Sequence, residues 1–264
     1  MSAVELIATI VAAIQIMVLA VLPPVSEKLA GRKGGSLTAV FLAFCYALWL
    51  FTDLYWLIYD IARPDSRMPF AANEIGEAAV FLMMAAILGS ACGQSAFRLS
   101  PQALAALVFG GCNVVLWIAW SGEWVEDILV GLIFIYLLYS IVVSLKSEEA
   151  LKAGEWIFTG LLCLLLLLSQ SLTLLTEEPL KSVGDSAGYV LLVLGSVFWA
   201  FHCIRAMKKK AAPKMQLVLA FAALGWMITS KYMSAGSWYN AFLLLEDLCL
   251  PLMYLAVRKV VEEA

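Results

Sequence analysis

The sequence predicts an all-α polytopic integral membrane protein, a bundle of about nine transmembrane helices with its N-terminus outside and its C-terminus in the cytoplasm. Three observations predict it. Of 264 residues, 63% are hydrophobic and 14% charged, with a mean hydropathy of +0.92, more apolar surface than one soluble core can use. The apolar residues fall into runs of roughly 20, the helical length that crosses a hydrocarbon layer about 30 Å thick. The Lys and Arg residues concentrate on alternate connections between those runs.

The first span, 4–24, has Glu5 where a signal peptide would carry positive charge, and is read as a retained helix. The second, 36–60, contains the segment WLFTDLYWLIYD from Trp49 to Asp60. The third, 74–96, opens with Glu74 and Glu77, which read as first-turn anions favoured by the helix dipole, with Asn73 placed to cap. The fourth and fifth, 101–121 and 124–145, are separated only by a tight turn. The sixth, 155–176, ends in Ser169, Gln170, Ser171, Thr173 and Thr176; the seventh, 187–207, carries His202 and Arg205. The eighth, 214–233, ends in Ser230 and Lys231. The ninth, 237–258, is interrupted by Glu246, Asp247 and Pro251, so eight spans or a re-entrant ninth is the alternative. A single transmembrane domain over 1–264 with no soluble domain is expected.

Orientation follows from counting basic residues. Thirteen of the 17 Lys and Arg lie on one side (Lys28, Arg32, Lys33, Arg98, Lys146, Lys152, Arg205, Lys208, Lys209, Lys210, Lys214, Arg258 and Lys259), against Arg63, Arg67, Lys181 and Lys231 on the other. By the positive-inside rule the crowded side is cytoplasmic. A bacterial inner membrane is the simplest setting. The net charge of -3 and the lack of a long basic run exclude a nucleic-acid surface. The six cysteines are scattered singly and read as reduced thiols.

The candidate site lies on the outer half. Trp49, Asp53, Trp56 and Asp60 follow one another at helical spacings of four, three and four, so they share a face, and carboxylates on that face are costly against lipid. Asp60 is close to the span's outer end and can simply mark its exit. Asp53, Glu246 and Asp247 are too deep for that, at about 10 to 14 Å inside their spans. Charges at such depth cost roughly 2.5 to 3.5 kcal/mol unless paired or hydrated. Lys231 is within reach of Glu246 if the last two spans form a hairpin, and a closed ion pair is the competing structural explanation. Pro251 removes the helical hydrogen bond to the Asp247 carbonyl. Trp49, Asp53, Trp56, Asp60, Lys231, Glu246 and Asp247 are therefore expected to line an outward-facing cavity. Indole faces beside carboxylates suit a small cationic or proton-coupled solute.

Enzymatic chemistry has little support. There is no GxSxG, no HExxH, no phosphate-cradling loop, and the single histidine, His202, lies towards the cytoplasmic side without other ligand types. No cofactor, metal or catalytic residue is expected. One alternative rests on motifs: Tyr59-Asp60, Gly184-Asp185 and Leu250-Pro251-Leu252 are similar to the YD, GxGD and PAL motifs of membrane-embedded aspartyl proteases, presenilin-like proteins and prepilin peptidases included. That resemblance implies a water-activating dyad of Asp60 and Asp185. Ser182 stands where the first glycine of GxGD belongs, the YD lies in the second span, and the two acids face outward rather than to the cytoplasm. The sequence thus favours a transporter, permease subunit or channel. A sensor subunit that docks a cytoplasmic protein at Lys208, Lys209, Lys210 and Lys214 comes next, and a hydrolase third.

Overall fold

The computed structural model describes residues 3–32, 36–62, 70–93, 99–121 and 124–263. Among them are nine helices and no strands: α1 (Ala3–Arg32), α2 (Leu37–Ala62), α3 (Phe70–Cys92), α4 (Pro101–Ser121), α5 (Trp124–Ser147), α6 (Ala153–Leu175), α7 (Leu180–Lys208), α8 (Pro213–Tyr232) and α9 (Gly236–Glu263). Eight are long and apolar enough to cross a membrane, so the chain is a polytopic helical bundle.

The one that falls short is α8, not the ninth span that the sequence marks as doubtful. At 20 residues α8 is about 30 Å long, a full membrane thickness. Its polar ends lower its hydropathy, and its position explains why that is tolerated. Every residue from Leu217 to Lys231 is buried, because α8 sits at the centre of the bundle. Around it run α9, α1, α2, α3, α5, α4, α6 and α7, each packed on the next, with α9, α7, α5 and α3 touching α8 directly.

Several expected boundaries shift. α1 continues through Pro23 and Pro24 to Arg32, so Lys28 and Arg32 extend the helix rather than lie in a loop. α3 starts at Phe70 and ends at Cys92, where Gly93 takes a left-handed φ of +69° that an L side chain resists. α7 starts at Leu180, seven residues before the expected boundary. α9 runs unbroken past Pro251, so the ninth span is neither interrupted nor re-entrant. The freed backbone does not break the helix there. Tyr46 of α2 donates its hydroxyl to the Leu250 carbonyl at 2.7 Å, tying α2 to α9 beside the proline.

Close approach between helices depends on small residues, as in membrane packing generally. The Trp226 indole lies against Gly195 of α7, and its N-H donates to the Leu192 carbonyl at 3.0 Å. Gly184 lets α7 contact Ser169 and Leu172 of α6, and Gly76 of α3 lies against Thr52 of α2. The described cysteines are all free thiols.

Candidate functional site

α2, α3 and α9 converge with the last turns of α8 on a small internal cavity. Lys231, in the last turn of α8, projects its ammonium to Glu246 of α9, with Nζ 3.1 Å from Oε2 and 3.3 Å from Oε1. Glu246 is fully buried and Lys231 is 8% exposed. α8 and α9 form a hairpin over Met233 to Ala235, and Gly236 opens α9 with φ +57°.

Asp53 joins this pair from α2 and Glu77 from α3, with Trp49, Thr52, Phe81 and Tyr232 completing much of the wall. The cavity offers only about 20 Å³ to the centre of a water molecule, room for one water. One lysine therefore faces three carboxylates in a space too small for an organic solute. Glu77 interacts with the Tyr232 hydroxyl. Asp53 Oδ2 is buried and accepts no hydrogen bond from the described residues. Such a set in a low-dielectric interior couples strongly: moving one proton or one ammonium changes the energy of each neighbour.

Asp247 follows Glu246 and turns about 100° away from it around α9. It is 4% exposed, and neither carboxylate oxygen has a hydrogen-bond partner among the described residues. It does not line the cavity. Ser230, beside Lys231 on α8, has a buried and likewise unsatisfied hydroxyl.

The residues singled out from the sequence divide accordingly. Trp49, Asp53, Lys231 and Glu246 come together around the cavity. Trp56 does not: it is 43% exposed, as the outer turns of α2 stand clear of the bundle, with Tyr55, Ile58 and Ile61 exposed beside it. The Asp60 side chain lies outside the described residues. Asp185 is on α7, which packs on α6 and α8, whereas α2 packs on α1, α3 and α9; the structure does not bring the two GxGD-like elements together as neighbours. Gly184 has a packing explanation instead, since its carbonyl accepts the Ser169 hydroxyl at 2.9 Å and a Cβ there would collide with α6.

Glu77, Thr52 and Tyr232 escape the sequence reading. Glu77 reads as a first-turn anion only if α3 starts at 74; starting at Phe70 puts it two turns in. The available signal is the acidic pair Glu74 and Glu77, one turn apart beside Gly76, whose lack of a side chain admits Thr52. His202 packs on Phe198, ring centroids 4.5 Å apart, with Nε2 3.8 Å from Glu155 Oε1. Among the described residues no group of three His, Cys, Asp and Glu side chains is arranged to hold a metal ion. No protein-family model matches this chain, and neither a curated protein nor a solved structure does.

Proposed function

We propose that this membrane protein is a proton carrier, here in a closed conformation, and that Asp53, Glu77 and Glu246 exchange protons around the ammonium of Lys231. The observation that carries the reading is the buried Lys231 and Glu246 pair sharing a one-water cavity with two further acids. A structural ion pair needs one acid per base. Surplus carboxylates at this depth are expensive unless they bind a proton or a cation.

The chemistry is an exchange of partners. With Glu246 ionised, the ammonium rests against it. A proton delivered to Glu246 cancels that attraction, and the long lysine side chain turns to Asp53 or Glu77 across the cavity. Loss of that proton to the other side of the membrane returns the ammonium. The lack of room for an organic ligand, and the lack of a metal-holding cluster among the described residues, favour a proton over a larger cation. Asp247 is a second proton-binding position on the same helix, and a bacterial inner membrane would supply the gradient.

Proteoliposomes with an imposed pH gradient and an internal pH dye test this. The wild-type protein should dissipate the gradient, and Asp53→Asn and Glu246→Gln should each slow it at least tenfold while eluting as folded protein. Equal rates in all three would sink the assignment. The reading that competes is a sensor subunit, favoured by the exposed cluster of Lys208, Lys209 and Lys210 at the turn between α7 and α8. It predicts no flux, and co-purification of a cytoplasmic protein that Lys208→Ala/Lys209→Ala/Lys210→Ala releases.

A further inference from the structure

A second cavity, remote from the acid cluster, has the opposite character. It is a cleft of about 510 Å³ between α4, α5 and α6 with α8 as its floor, in the size range of binding sites for small molecules. Its lining is almost wholly apolar, including Phe109, Ile141, Leu164 and the indoles of Trp156, Trp199 and Trp226. α6 packs on α4 and α7 but leaves α8 uncovered along this line, so the cleft is a slot within the spanning part of the bundle.

One turn nearer the cytoplasm, α6, α7 and α8 with the turn before α6 build a polar pocket of about 200 Å³. Glu155 and Trp156 on α6, His202 and Trp199 on α7, and Leu219 and Ala222 on α8 each place one residue in the pocket and one in the cleft. Lys152, Arg205 and Lys209 supply cations there, and Glu149 and Glu155 the acids. Glu155 is already engaged: its Oε1 is 3.7 Å from Arg205 Nη1, and its Oε2 accepts the Lys152 backbone N-H at 2.7 Å. Lys152 and Lys209 are exposed. Across the cleft mouth, Lys146 donates to Gln102 Oε1 at 3.1 Å, and Gln102 itself lines the cleft. A cationic rim at the cytoplasmic end of an apolar intramembrane slot matches one kind of molecule, with an anionic head and a hydrocarbon tail.

We infer that this composite site binds an anionic phospholipid of the cytoplasmic leaflet, its acyl chain in the cleft and its phosphate at Lys152 and Lys209.

Native mass spectrometry of the full chain, delipidated and then given phosphatidylglycerol or phosphatidylcholine, tests it. The wild type should retain phosphatidylglycerol in preference. Lys152→Ala/Lys209→Ala should cut that preference about 25-fold, at about fivefold per lysine, while leaving retention of phosphatidylcholine unchanged. Gly160→Phe should abolish retention of both lipids, because Gly160 lines the cleft and a Cβ there meets nothing within 4 Å, leaving the ring to occupy the slot. Ala106→Phe, from the α4 wall, should do the same and guards against a folding defect in either variant. Four outcomes overturn the inference: no lipid preference in the wild type, undiminished retention in both cleft variants, displacement by glycerol phosphate alone, or a dimer that dissociates when the cleft is filled.

Discussion

Lys231 Nζ lies 3.1 Å from Glu246 Oε2, and this contact joins the last turn of the central helix α8 to a position about three turns into its hairpin partner. Its surroundings give it meaning. Glu246 has no solvent exposure, Asp53 and Glu77 share its cavity, and one water is all that the space admits.

Removing one partner of this pair leaves the other charge buried. Glu246→Gln and Lys231→Met should each destabilise the protein by about 3 to 5 kcal/mol, whereas Lys231→Met/Glu246→Leu should recover most of that loss. Thermal unfolding in detergent, followed by cysteine accessibility at Cys45 and Cys249, both buried, checks the order.

Asp247 behaves differently because it has nothing to lose. Both its oxygens are buried without a hydrogen bond among the described residues, so Asp247→Leu should raise stability by about 1 to 3 kcal/mol. A fall in melting temperature would mean that the carboxylate has a structural partner.

Two tryptophans about two turns apart on the same helical face should respond differently. Trp49 is 5% exposed beside Asp53, and Trp49→Ala should cost about 3 to 5 kcal/mol, while Trp56→Leu should leave both stability and proton flux unchanged. Parallel unfolding and flux assays on the two variants read this directly.

Gly76 sets the approach of α3 to the acid cluster. A methyl group there collides with the Thr52 side chain, so Gly76→Ala should destabilise by about 1 to 3 kcal/mol and slow flux by shifting Glu77. Gly76→Ala/Thr52→Ala, which removes the hydroxyl that the new methyl meets, should restore part of both.

Much of this architecture is legible in the chain. Span length places all nine helices, because in a bilayer the backbone must satisfy itself and roughly 20 apolar residues is what that takes. The depth of Asp53 and Glu246 and the position of Lys231 at a span end are legible for the same reason. Periodicity fails at Trp56, since a helical face does not reveal whether a neighbouring helix extends far enough to cover it. Glu77 is hidden by the start of α3, four residues earlier than hydropathy suggests, which turns a first-turn anion into a membrane-depth acid. Pro251 misleads in the other direction, because a proline inside a membrane helix can be accommodated without a break, and α9 runs through it unbroken.

The most direct test is the rate at which Lys231→Met/Glu246→Leu discharges a pH gradient in proteoliposomes, once its melting temperature is shown to match the wild type. The exchange of protons around Lys231 predicts a folded protein with no flux above that of empty liposomes. Discharge at the wild-type rate would make the buried pair a structural fastening and contradict the proposed carrier.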